Sequence, residues 1–133
     1  MSYSYYPKRP VKSFQDLEVY QKTLAVSVAV VKRIISTEHG EIISKLHQFA
    51  LSLPVKIATA HSLRFADGQK AIDTLEEVML NCNLTVVYLE QYRDIYNKEV
   101  EAEFFEEQIK NLLSVRMKIM HLQRSWKKFM VAK

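Results

Sequence analysis

Apolar positions along this chain recur at steps of three and four, the spacing that keeps side chains on one face of a helix. In the first run, Leu17, Tyr20, Leu24, Val28, Val31 and Ile35 share one face. Ser13 precedes them as an N-cap, with Asp16 three positions on in the capping-box position. Val26, Val28 and Val30 also alternate, and β-branched residues favour strands. The run is far longer than an ordinary strand, so the pattern predicts a helix over about 14–36. Thr37-Glu38-His39-Gly40 supplies the turn. A second helix, over about 41–65, turns Ile42, Leu46, Phe49, Leu53, Ile57 and Ala60 inward. Pro54 sits inside it and removes one backbone hydrogen bond. The apolar pattern stays in phase on both sides of Pro54, which predicts a kink and not a break.

After Ala66-Asp67-Gly68, a third helix over about 69–96 carries a seam of Ile72, Leu75, Met79, Cys82, Val86 and Leu89, extended by Tyr92 and Tyr96. Asn97-Lys98 marks the next turn. A fourth helix, over about 99–129, carries Leu112, Val115, Ile119, Leu122, Trp126 and Phe129. Both helices bear a second stripe. Leu80, Leu84, Val87 and Tyr88 form one; Ile109, Leu113, Met117 and Met120 form the other. Four amphipathic segments with short connections predict an all-α domain, an up-down-up-down four-helix bundle over 13–133. A lone bundle would leave part of the second stripes wet. Leu80, Leu84, Val87, Leu113, Met117 and Met120 are therefore expected at a homo-oligomer interface. Broad stripes facing two neighbours inside one bundle are the alternative.

Composition narrows the classes. Only 2 Gly and 3 Pro among 133 residues cannot punctuate a many-stranded fold or build a glycine-rich phosphate loop. One cysteine, Cys82, excludes an internal disulfide and reads as a small buried helix residue. No run of apolar residues is long enough for a membrane span. Residues 1–12 hold three tyrosines, two prolines and three basic residues but no apolar signal stretch, so a cytoplasmic protein is expected. That segment reads as an extended or flexible arm. It is either solvated, packed on a neighbouring subunit, or stacked against single-stranded nucleic acid.

Net charge is only +4, but it is unevenly spread. Residues 67–96 hold two basic and six acidic residues, whereas from Gln108 onward there are seven basic residues and no acidic one. At 100° per residue, Lys110, Arg116, Arg124, Lys127 and Lys128 fall within about one-third of the helix circumference, opposite the seam, with Lys118 off that arc. Repeated around an oligomer, such a face attracts polyanions. Alternatively it is a solvated face whose cations suit the helix C-terminus.

Catalytic constellations are missing. The residues three before His39, His47, His61 and His121 are Ser36, Ser44, Ala58 and Lys118, so no Glu-x-x-His di-iron motif occurs. No HExxH motif and no nucleophile elbow is present. Glu76-Glu77 and Glu106-Glu107 are sequence neighbours that point to different helix faces. A non-enzymatic protein without metal or cofactor is expected, with His47 and His61 as hydrogen-bonded structural residues.

Two motifs carry a family resemblance. Ser13-Phe14-Gln15-Asp16-Leu17-Glu18-Val19-Tyr20-Gln21-Lys22 resembles the opening of the four-helix-bundle family of 23S rRNA-intervening-sequence proteins. Ser52, Pro54, Ile57 and Ala58 match that family's helix-two motif, in which Asn, Glu and Gly are here replaced by Lys56, Thr59 and Ala60. The resemblance implies a ring of bundles, commonly a pentamer, without enzymatic activity. The replacements at Lys56 and Thr59, and the Arg124-Ser125-Trp126 finish, are similar to a related branch, the accessory variability determinants of diversity-generating retroelements. That branch implies binding to a reverse transcriptase and its RNA. Phosphate contacts are then expected from Lys56, Arg64, Lys110, Arg116, Arg124, Lys127 and Lys128. The intervening-sequence branch instead implies a structural or protein-interaction bundle with no nucleic-acid role.

Overall fold

A computed structural model of the chain describes residues 11–35, 40–96 and 101–132, with side chains through 130. Among the described residues it is all-helical, with no strand. A 3-10 turn over Phe14–Asp16 leads into α1 (Glu18–Arg33), α2 (Gly40–Leu63), α3 (Gly68–Tyr96) and α4 (Ala102–Ala132). Each helix packs on two others, in the cyclic order α1, α2, α3, α4; the diagonal pairs make no close backbone approach among the described residues and meet through side chains, as His61 of α2 does with Trp126 of α4. The arm over 1–10, most of the first predicted turn and the Asn97-Lys98 turn lie outside the described residues.

The capping box forms, but it closes the 3-10 turn and not α1 itself. Ser13 Oγ accepts from the Gln15 amide at 3.2 Å, and Asp16 Oδ2 accepts from the Ser13 amide at 3.2 Å. Leu17 is then extended and buried, and α1 starts one residue later. Asp67 caps α3: its Oδ1 accepts from the Lys70 amide at 3.1 Å. As the phase of the pattern required, α2 runs through Pro54 without a break.

The first helix buries a different face from the one its pattern predicts. Val19, Thr23, Val26, Ser27, Val30 and Ile34 point inward, whereas Leu24, Val28 and Ile35 are exposed. Two hydroxyls make this possible. Thr23 Oγ1 donates to the Val19 carbonyl at 2.8 Å and Ser27 Oγ to the Leu24 carbonyl at 3.0 Å. Each polar atom is thus satisfied by its own helix and can be buried at little cost. Small and β-branched side chains on that face fit the space between α2 and α4, and the larger leucine stripe is left outside.

The other seams lie where their spacing puts them. Leu46, Leu53, Ile57, Leu75, Cys82, Leu89, Leu112, Val115 and Ile119 are all closed to solvent. On α4 the seam opens toward its end: Leu122 and Trp126 are half-buried, and Phe129 is exposed. Polar ties set the level of one helix against the next. Gln123 Nε2 donates to the Ile72 carbonyl at 3.1 Å and to Glu76 Oε1 at 3.0 Å, joining α4 to α3. Asn81 Nδ2 donates to Ser52 Oγ at 3.1 Å, and Phe49 stacks on Tyr88 at 5.7 Å, joining α3 to α2. His47 Nε2 donates to the Ile34 carbonyl at 2.6 Å and so closes the end of α1.

The inversion of α1 is directly testable by equilibrium unfolding at low protein concentration. Val30 is 0% exposed and Val28 is 47% exposed. Val30→Ala should lower stability by about 2 kcal/mol through the cavity it leaves, and Val28→Ala by less than about 0.5 kcal/mol. The reverse order would restore the face predicted from the pattern.

Candidate nucleic-acid interface

The seven cations expected at phosphates do not share one surface. Lys110, Arg124, Lys127 and Lys128 are exposed on α4, and none of them is ion-paired among the described residues. Lys127 borders a surface hollow beside Asp73 and Glu76 of α3. Arg116 departs from the expected arc. It is half-buried, its Nε is enclosed without a hydrogen-bond partner among the described residues, and its guanidinium is close enough to act on Cys82. The position belongs to the α3–α4 boundary because the α4 face turned to α3 is wider than the apolar seam alone.

Lys56 is engaged elsewhere. Its Nζ lies 3.1 Å from Glu77 across the α2–α3 boundary, so the charge it adds to α2 is largely neutralised by α3. Lys118 likewise reaches Glu18 of α1 at 3.3 Å, and Arg33 reaches Glu101 at 3.1 Å. Such partly exposed pairs add little stability each, at most about 1 kcal/mol. Their effect here is to absorb the cations at helix boundaries and leave the last turns of α4 as the uncompensated basic surface.

Arg64 sits at the end of α2. Its Nη1 donates to the His61 carbonyl at 2.6 Å and lies 3.2 Å from His61 Nδ1, and its guanidinium lies over the Phe65 ring at 4.2 Å. These contacts fix the guanidinium plane beside Trp126, Phe129 and Met130 of α4. The α2 end thus brings Arg64 to the same end of the bundle as Lys127 and Lys128. Sequence spacing placed Trp126 and Phe129 in the α4 seam. In the structure they line this terminal hollow, because α4 continues past the point where α2 ends.

The six residues expected at an oligomer interface remain accessible. Leu80, Val87, Leu113 and Met117 are exposed, and Leu84 and Met120 are half-buried. The Gln123–Ile72 bond and the Tyr92–Phe105 ring contact at 6.2 Å fix the antiparallel level of α3 against α4. At 1.5 Å per residue, that level sets Leu113 near Leu84 and Met117 near Leu80. The exposed parts of the two stripes thus lie at matching heights on neighbouring helices, while Tyr88 of the α3 stripe turns to Phe49 of α2. A second apolar surface, which the spacing did not reveal, lies over α1 and α2: Leu24, Val28, Leu51 and Val55 line an open groove with Phe14 and Tyr20 at one end. The signal for it was the Leu51-Val55 step, offset from the inner face of α2.

Among the described residues, no three His, Cys, Asp or Glu side chains converge to hold a metal ion. No helix among them is long and apolar enough to cross a membrane. Cys82 is a free, buried thiol, and burial pushes it up to about 12, with Arg116 pulling weakly the other way. Burial, reinforced by the Arg64 guanidinium, holds the His61 imidazole below its ordinary value.

Two measurements follow from these groups. Cys82 should resist a thiol reagent in the native chain and react at the rate of unfolding, so labelling and unfolding rates should coincide at high reagent concentration. His61 binds a proton more readily in the unfolded chain than in the folded one. Its contribution to stability is whole above about 6.5 and is lost as pH falls through the lowered native value. Melting temperature should therefore drop as pH falls below about 6.5, and drop less in His61→Gln.

Compared with protein-family models, with curated proteins and with solved structures, the chain matches none.

Proposed function

We propose that this chain is a non-catalytic, ring-forming homo-oligomer that holds nucleic acid, RNA foremost, by its phosphate backbone. The observation that carries this reading is the set of exposed cations on α4. Lys110, Arg124, Lys127 and Lys128 stand free of ion pairs among the described residues, on a helix with no acidic residue after Glu107. Exposed Lys and Arg neutralise phosphates without reading sequence, so they suit a backbone clamp and not a base-specific reader. Arg64 lies at the same end as Arg124, Lys127 and Lys128, whereas Lys110 lies about 25 Å away along α4.

The ring part of the proposal is supported by the two outward apolar surfaces. The cyclic helix order puts the α1–α2 groove and the α3–α4 stripe on opposite sides of the bundle. Two different patches on one chain suit a head-to-tail contact, in which each copy offers one patch to either neighbour, and such contacts close into rings when the rotation allows. A two-fold dimer through one patch would leave the other wet. Charge favours the same pairing. Between Ile42 and Ala66 the chain has no acidic residue, whereas α3 is the acidic helix. A ring would also repeat the basic end of α4 and multiply its potential. The resemblance of Ser13–Lys22 and Ser52–Ala60 to intervening-sequence and retroelement-accessory bundles extends the proposal to five copies and to a reverse transcriptase as partner.

Those apolar surfaces equally favour a second reading, an interaction module that serves a protein partner alone. Binding of a labelled single-stranded RNA to the full chain separates the two. With three phosphate contacts per chain, affinity should fall roughly 20-fold between about 50 and 200 mM salt. Arg124→Glu/Lys127→Glu/Lys128→Glu should remove binding and leave the native mass unchanged. Binding that ignores salt, or survives the triple reversal, contradicts the nucleic-acid reading.

A further inference from the structure

The hollow at the end of the bundle has a composition that phosphate contacts do not explain. It encloses about 170 Å³ where α2, α3 and α4 meet, and its walls are aromatic. Phe65 and Phe129 are 76% and 68% exposed, unusually open for rings of that size. Trp126 forms the inner wall. It is backed by His61, which is 7% exposed and whose Nε2 has no hydrogen-bond partner among the described residues; the two rings lie 6.5 Å apart. Gly68 lets the Met130 side chain pack onto the floor: a Cβ there would come within 3.2 Å of Met130 Sδ.

We propose that this hollow is a stacking pocket for an unpaired nucleobase of single-stranded nucleic acid, with Trp126 and Phe129 as ring platforms and Arg64 as the planar cation at the wall. The proposal deepens the nucleic-acid reading above and rests on it. Binding single strands without sequence preference needs two things together: cations along the backbone and aromatic faces for the bases. Both are present within one helical turn of α4, where Trp126, Lys127, Lys128 and Phe129 are consecutive. The Arg64 guanidinium lies over the Phe65 ring at 4.2 Å, which holds this planar cation at the wall of the pocket.

Local charge also selects the occupant. Asp67, Asp73 and Glu76 keep their charge near this end, Asp67 accepting from the Lys70 amide and Asp73 from Gln69 Nε2 at 2.9 Å. Arg64, Lys70, Arg124, Lys127 and Lys128 outnumber them and give the end a net positive field. That field opposes docking of the same end of a second copy and favours a polyanion that carries flat rings.

Trp126 is the chain's one tryptophan, so its fluorescence reports the pocket directly. The test is titration of the full chain with a single-stranded oligoadenylate and with an abasic oligomer of equal length and charge. The base-bearing strand should bind about 10-fold more tightly and quench Trp126, and Phe129→Ala should erase that difference without changing the abasic affinity. Phe65→Ala, at the more exposed ring, gives a second variant with little risk to folding. Equal binding of both strands without quenching overturns the pocket and leaves the backbone reading standing. Failure of both strands to bind overturns the backbone reading and the pocket with it. Quenching that rises with protein concentration alone assigns the pocket to a second copy of the chain and overturns the proposal.

Discussion

In a four-helix bundle each helix can hide one broad stripe against its two neighbours, and these helices carry more apolar surface than that geometry can take in. The excess is not spread evenly. Much of it lies in the α1–α2 groove and on the exposed parts of the α3 and α4 stripes, with a further share at the bundle end in Phe65, Phe129 and Met130. The core between them is already full: Val30, Leu46, Leu53, Leu75, Leu89, Phe105, Leu112 and Ile119 have no solvent contact. Nothing is left inside the bundle to receive Leu24, Val55, Leu80 or Leu113. At roughly 25 cal/mol for each Å² of apolar surface removed from water, covering both sides is a substantial driving force for association. The hydroxyls of Thr23 and Ser27 decide which stripe of α1 joins the core, and thereby which residues the outside inherits.

Charge follows a comparable partition. Cations near a helix boundary meet a neighbouring carboxylate: Lys56 with Glu77 of α3, Lys118 with Glu18 of α1, and Arg33 with Glu101 just before α4. Those pairs contribute little stability, but they cancel positive potential along the sides of the bundle. At the end of α4 the cations outnumber the nearby acids, and although Asp73 and Glu76 of α3 border Lys127, no ion pair forms there among the described residues. A small net charge of +4 thus becomes a localised basic end, next to the aromatic hollow formed by Arg64, Trp126 and Phe129. Phosphates and flat rings are the two chemistries that end could accept together.

Much of this was legible in the sequence where only one pattern was present. The seams of α3 and α4 alternate steps of three and four without a rival, so Leu75, Cys82, Leu89, Leu112 and Ile119 were placed correctly. Pro54 was legible as an in-helix proline because the pattern keeps its phase across it. The first helix was not. Valines lie on both of its faces, and hydropathy ranks Thr23 and Ser27 as outward although backbone carbonyls satisfy them. Spacing also treats cations as if the neighbouring helix were absent, so it could not see that Glu77 takes up Lys56 or that Arg116 lies half-buried beside Cys82. The terminal hollow was invisible for a related reason. It is assembled from the ends of three helices, and within α4 its tryptophan and phenylalanine look like further seam positions.

The account stands or falls on whether other copies of the chain cover the two apolar sides. Native mass determination at micromolar concentration, on a chain of 15.6 kDa, tests this most directly. A closed cyclic multiple of that mass is the predicted result, five on the strength of the resemblance. It should break down when Leu113→Lys places a charge on one side or Val55→Lys on the other. A monomer at that concentration, or a dimer that only one of the two substitutions disturbs, would contradict it.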